Sequence, residues 1–268
     1  MIGVKASGTV PVVLALVAVL ADIHGNAPAL DAVLAELDAD PPAAVVIGGD
    51  VAAGPMPLQV LARLRTLPWP VHWLRGNADR VLVMAYDDDA PPEIRAHPLW
   101  ASDSWTAARL PRAERDFLAA LAPLVRLEVG GGRGEVLFCH GTPRSDEERV
   151  TVFTPDERLA AILEPAGAAL VVGGHTHRQF DRTVGGRRMV NAGSVGRPYE
   201  HDPGAYWLRL GAEVELRRTL YDAAAATAGF RELGYPTAEQ MLAPVDADAV
   251  ARRYEAASTK PVAPASLT

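Results

Sequence analysis

Five short apolar runs in this chain each end in a turn that carries a side chain able to bind a metal ion: Asp22-Ile-His24, Gly49-Asp50, Gly76-Asn77, His140-Gly141 and Gly174-His175-Thr-His177. No other feature constrains the fold as much. Groups placed beyond the carboxyl ends of strands in an open α/β sheet converge on one crevice, so these five blocks are expected to meet in one site. The flanking glycines let backbone pass close to such a cluster. Carboxylate and imidazole without thiolate suit divalent Mn, Fe, Zn, Co or Ni, and one bridging carboxylate can hold two ions.

The runs themselves are short and rich in Val and Leu, as buried parallel strands are. Residues 10–21 also have the outline of a secretory signal, with Lys5 ahead of an apolar stretch, but cleavage after Ala21 would remove the strand that has to present Asp22 and His24. A first strand is the better reading, behind a loose leader at residues 1–9. Leu30, Val33, Leu34 and Leu37 then lie at helical spacing, and Pro41-Pro42 closes the helix before a second strand at 43–50. That completes a βαβ unit. The pattern repeats with a helix at 58–67, where Leu58, Leu61 and Leu64 share one side, and a strand at 71–77.

Residues 84–124 change character, with Asp87-Asp-Asp89, Pro91-Pro92, Trp100 and Trp105, and read as a small helical cap or insertion. Strands resume as a hairpin, 125–129 and 135–140, around a turn at 130–134; this turn lacks the Lys-Ser/Thr of a phosphate loop. A helix at 156–163 and strands at 168–175, 187–191, 205–210 and 214–221 follow. The Ala-rich 222–257 is helical in pattern with a break at Gly234-Tyr-Pro236, and 258–268 reads as a flexible tail. The whole of 1–268 is expected to form one domain with its catalytic core at 10–221.

Composition closes off other classes. The 268 residues carry a formal charge of −7, so no basic excess supports bulk nucleic-acid binding. No run spans a membrane. The lone Cys139 excludes an intramolecular disulfide or a cysteine-cluster zinc site and fits a cytoplasmic protein; strand alternation turns it away from His140.

In these blocks the chain resembles the calcineurin-like metallophosphoesterase superfamily, whose pattern runs D-x-H, G-D, G-N-H-[D/E], H and G-H-x-H. All are present in order from Asp22 to His177, and Asn191-Ala-Gly-Ser-Val-Gly196 is similar to the downstream block of a bacterial phosphodiesterase branch. The resemblance implies an α/β fold in which two sheets form a β-sandwich flanked by helices. It also implies two divalent ions, Mn2+ first, with Fe, Zn, Ni, Co or Mg as alternatives. Asp22, His24, Asp50 and His177 would hold one ion, and Asp50, Asn77, His140 and His175 the other, with Asp50 as the bridge. The implied reaction is attack of a metal-bridging hydroxide on the phosphorus of a phosphodiester or small phosphorylated metabolite.

One block departs from the pattern. Where the family has Gly-Asn-His-Asp, this chain has Gly76-Asn-Ala-Asp79, so the histidine that helps protonate the leaving group is Ala78. Asp79, His201 or a metal-held water could stand in. Arg75, Arg144, Arg178 and Arg197 flank the ligand blocks as candidate phosphate contacts, with Arg178 foremost because it follows His177, and Asn26 as a weaker one. His72 and His97 are assigned to packing or solvent. A dinucleoside polyphosphate hydrolase, a Ser/Thr-type protein phosphatase and a non-catalytic interaction scaffold are the competing functions; the intact ligand set favours an enzyme over a scaffold, and the oligomeric state is left open.

Overall fold

A computed structural model describes residues 13–132 and 134–258. In chain order the first part runs β1 (Val17–Leu20), α1 (Ala27–Ala39), β2 (Ala44–Ile47), α2 (Pro57–Arg65) and β3 (Val71–Trp73), followed by four helices, α3 (Asn77–Asp87), α4 (Pro92–Arg95), α5 (Trp100–Ala107) and α6 (Arg112–Ala119). Then come β4 (Leu124–Val129), β5 (Gly134–Cys139), α7 (Asp156–Leu163), β6 (Leu170–Gly173), β7 (Phe180–Val184), β8 (Arg187–Asn191), β9 (Ala205–Leu210) and β10 (Val214–Thr219). Helices α8 (Ala223–Glu232), α9 (Ala238–Met241) and α10 (Ala247–Ser258) end the described chain.

Two five-stranded sheets, ordered β10-β9-β1-β2-β3 and β4-β5-β6-β8-β7, stack face to face. Alternation along each strand explains the layering. On β1, Val17 and Val19 enter the core between the sheets, while Ala18 and Leu20 face α1 and α2. On β5, Val136 and Phe138 enter the central core, whereas Leu137 and Cys139 pack with α7. A period of two thus feeds three layers from two sheets. The mixed α/β sandwich flanked by helices is the architecture the resemblance implied, and Cys139 is buried on the side away from the ligands, as alternation required.

Several boundaries differ from the sequence reading. Asn77 opens α3 rather than ending a strand, because Gly76 leaves β3 in extended conformation and caps the helix. The helices therefore begin seven residues before position 84, and Asp87, expected in a solvated loop, closes α3 and pairs with Arg115. Leu58 is exposed; Val60, Leu61 and Leu64 form the buried face of α2. β7 was not anticipated. The leader and residues 259–268 lie outside the described residues, as do residues 10–12 at the start of the expected first strand.

Candidate metal centre

Asp22 and His24 follow β1, Asp50 follows β2, His140 follows β5, and His175 and His177 follow β6, so strand ends of both sheets supply the cluster. Its backbone is unusual. Six described non-glycine residues have a positive φ between 48 and 67°, and five of them are Asp22, His24, Asp50, His175 and His177. Such conformations cost of order 1–3 kcal/mol each and persist where the surroundings over-determine them. The surroundings here are tight: a Cβ at Gly76 would fall 2.1 Å from Asp50 Oδ1, and one at Gly174 would fall 2.4 Å from Asp22 Oδ2. These glycines are needed for close approach.

The donor atoms form two overlapping groups, Asp22, His24, Asp50 and His177 in one, and Asp50, His140 and His175 in the other. Asp50 Oδ2 stands 3.6 Å from His24 Nε2 and 3.4 Å from His140 Nε2, between the groups. Asp22 Oδ1 lies 3.1 Å from His177 Nε2, and His24 Nε2 lies 3.2 Å from that same nitrogen. Asn77 Oδ1 completes the second group, 3.1 Å from His140 Nε2.

The imidazoles are oriented from behind. His24 Nδ1 meets Ala53 O at 3.1 Å, His140 Nδ1 meets Gly48 O at 2.8 Å and His177 Nδ1 meets Arg197 O at 2.6 Å, so each Nε2 faces the cluster. His175 is reversed, with Nε2 on Glu147 O at 3.1 Å and Nδ1 left for the cluster. Backbone carbonyls in this role fix the tautomer that a metal requires.

The carboxylates are oriented as firmly. Asp22 Oδ2 accepts from His175 N at 2.9 Å, and Asp50 Oδ1 accepts from Ala78 N at 2.7 Å. Asp22 Oδ1, fully buried, has no hydrogen-bond partner among the described residues. A buried anionic oxygen without a donor is costly, and a cation beside it removes that cost. The donor set therefore fits divalent ions.

Electrostatics agree. Burial raises both carboxyls, but His177 and His140 beside Asp22, and His140 and His24 beside Asp50, hold them below the ordinary carboxylate range. Burial pulls His24 down to about 4 and His175 to about 3. Burial also opposes a proton on His140, yet Asp50 and Asp22 push it up to about 10.

A second ring of residues braces the turns. Asp79, fully buried, accepts from Asp50 N at 2.8 Å, Gly76 N at 3.0 Å and Val51 N at 3.0 Å. It positions Asp50 and does not line the cavity, so it does not stand where a leaving group would meet an acid. Asn191 donates to Gly174 O, and Ser194 Oγ donates to Asp22 O at 2.7 Å, so the block at 191–196 buttresses both ligand-bearing turns. Tyr199 stacks on His177 with centroids 4.7 Å apart.

A cavity of about 230 Å³ opens over the cluster, lined on the metal side by His24 and Asn77 and on the far side by α4, α5 and the turn at Tyr235. Of the sequence-derived substrate contacts only Arg197 lines it, with its Nε buried and unpaired among the described residues. Arg178 turns outward to Asp248 on α10 at 2.7 Å. Arg144 pairs with Glu148, and Arg75 faces Asp146. Asn26 caps α1 and spends its amide on Gly196 O and Tyr221, so it has no free donor for phosphate. His201 is exposed beside a separate pocket with Glu200 and Tyr221. His97, assigned to packing or solvent, is exposed and also lines the main cavity, as do Asp103, Arg149 and Tyr235, which the sequence reading missed.

Comparison with known proteins follows the geometry. A family model described as "Calcineurin-like phosphoesterase superfamily domain" matches residues 16–210. No curated protein matches the chain. A hypothetical protein from Pyrococcus horikoshii aligns with TM-score 0.70 at 22% identity over 82% of this chain and 94% of its own. A metallophosphoesterase from Sphaerobacter thermophilus aligns with TM-score 0.68 at 24% identity over 87% and 100%. At these identities the likeness is one of fold.

Proposed function

We propose that this chain, which belongs to the calcineurin-like phosphoesterase superfamily, hydrolyses small phosphodiesters with the help of two divalent metal ions. The observation that carries the reading is the position of Asp50 Oδ2, shared between two groups of buried Asp and His donors. The thiolate-free Asp/His donor set suits Mn, Fe, Zn, Co or Ni, and the resemblance puts Mn2+ first. Ions held there would polarise phosphoryl oxygens and lower the pKa of water.

The chain's own residues do the rest. Asp22, Asp50 and the four histidines hold their donor atoms in place before substrate arrives, so little reorganisation is left for the reaction. Arg197 and Arg149 offer guanidinium donors to phosphoryl oxygens from the cavity wall. Ala53, Ala78, Val81, Ile94 and Leu99 give that wall an apolar part that suits the two organic groups of a diester. Water attacking in line with the leaving group needs orientation more than covalent help. The cavity's size favours a small substrate, and the net charge of −7 offers no basic excess for bulk nucleic acid. The lone buried Cys139 suits a reducing compartment, and the reading assigns the enzyme to the cytoplasm.

The test compares Mn2+-dependent hydrolysis of bis(p-nitrophenyl) phosphate and p-nitrophenyl phosphate, with Asp50→Asn as the blank and bound metal measured in both proteins. Preference for the diester is expected, with a loss on the order of 10³-fold in the blank, since the metals supply several kcal/mol of transition-state stabilisation. Full activity in Asp50→Asn would remove the proposed centre.

A further inference from the structure

We propose that Asp103 protonates the leaving-group oxygen, a task for which Ala78 has no proton-carrying group; the proposal rests on the phosphodiesterase reading above. Helix α3 starts at Asn77-Ala78, beside the bridging Asp50, and α5 packs across α3. Ala78 and Asp103 both line the cavity, so α5 brings a carboxyl to the same chamber that the missing imidazole would have served.

The residues around Asp103 hold it there. Ser102 Oγ is 2.9 Å from Thr237 Oγ1, and Thr106 Oγ1 donates to Gly54 O at 2.9 Å, so α5 is pinned on both sides of position 103. The carboxyl of Asp103 makes no hydrogen bond or ion pair among the described residues. An acid so placed on a rigid helix is free to engage a substrate oxygen.

Other proton carriers in the chamber are less suited. His97 is exposed, and its Nδ1 accepts from Leu99 N. Tyr235 engages Thr237 and Ser102, and burial moves its phenol further from neutrality. The charged groups facing Asp103 are Asp50 from the β2 turn, Arg197 from the turn after β8, and the Tyr235 phenol; His24, His97, Glu147 and Arg149 share the cavity. Burial, aided by Asp50 and opposed by Arg197, pushes Asp103 up to about 7, so a proton is available near neutrality.

The step balances without a co-reactant. Water adds its oxygen to phosphorus, the bond from phosphorus to the leaving oxygen breaks, and the carboxyl proton of Asp103 passes to that oxygen. The proton shed by the water restores the carboxyl through solvent.

The experiment uses the full chain loaded with Mn2+ and two diesters of similar size, bis(p-nitrophenyl) phosphate and diphenyl phosphate. The first releases a phenolate stable near neutrality, whereas phenol resembles tyrosine with a pKa of about 10. Asp103→Asn is expected to slow diphenyl phosphate on the order of 10²-fold or more and bis(p-nitrophenyl) phosphate by less than about tenfold. Melting temperature and bound Mn2+ should match the unsubstituted protein, and Asp103→Glu should recover part of the loss. With diphenyl phosphate, kcat of the unsubstituted protein should show a basic limb, falling as Asp103 loses its proton, and this limb should vanish in Asp103→Asn. Equal loss on the two esters, or no loss on either, overturns the proposal. Absence of Mn2+-dependent turnover in the unsubstituted protein overturns the phosphodiesterase reading as well.

Discussion

The two walls of the cavity are built on different terms. On the side of the Asp/His cluster, every candidate ligand follows a strand of the sandwich or opens α3, and the imidazoles and carboxylates are oriented by backbone groups at hydrogen-bond distance. On the opposite side, α5 is pinned through Ser102 and Thr106, whereas α4 is a single turn with no buried residue, tied down by Arg95 on Asp88 and Ala90 O. Rigidity is concentrated at the strand ends and along α5, and the α4 part of the facing wall has fewer constraints. Local stability follows buried contacts, so exchange and opening should begin in the α4 wall before the strand ends.

The most damaging way to break this contrast is to loosen the metal wall without touching a ligand. Asp79→Ala deprives three backbone amides of their acceptor, each worth about 1–3 kcal/mol when left buried and unpaired. Saturating Mn2+ at about 100 times its Kd should stabilise the unsubstituted protein by about 2.7 kcal/mol. Loss of this bracing should weaken metal affinity about 10–100-fold, as loss of a group that orients ligands does. Thermal melts with and without Mn2+ read both effects. An unchanged Mn2+ shift in Asp79→Ala would show that the bracing is dispensable.

A smaller effect separates the histidines in protein stripped with a chelator. His24 and His175, held neutral with pKa values of about 4 and about 3, gain protons mainly in the unfolded chain between pH 6.5 and 4. The unfolded state then binds more protons, so stability falls as pH drops through that window. His140 works the other way, keeping a proton up to about 10 that the unfolded chain releases near 6.5, so its contribution is lost as pH rises. Melting temperature of the stripped protein should decline on both sides of neutrality. A flat response from pH 7 to 4 would contradict the assigned neutral pair.

What was legible follows the same division. The clustering of the candidate ligands could be read because each is fixed within a few residues by a strand end or a helix start and a glycine, and the resemblance then ordered them into two groups. The sandwich could be read in outline, although β7 was missed: it buries only Phe180 among its five residues, and the signal for it was the Gly185-Gly186 turn leading into β8. Asp103, Arg149 and Tyr235 could not be read, since they reach the cavity only through the packing of α5 on α3 and the long-range placement of their loops. Adjacency also misled. Arg178 follows a ligand directly, but the backbone turn at His177, with φ of 56°, sends it towards α10.

That pair of arginines sharpens the comparison at its finest. Arg197 lines the cavity and its buried Nε is unpaired among the described residues, and hydrogen bonds to charged groups contribute about 1.5–3 kcal/mol. Arg197→Ala should therefore raise KM for the diester about tenfold to hundredfold, with Mn2+ binding retained because the carbonyl that orients His177 belongs to the backbone. Arg178 instead forms an ion pair with a half-exposed partner, worth about 0–1 kcal/mol. Arg178→Ala should leave KM within about twofold and lower stability by no more than this bridge is worth. If the two variants shift KM alike, the cavity described here is not where the phosphate group binds, and the outward face near α10 becomes the place to look.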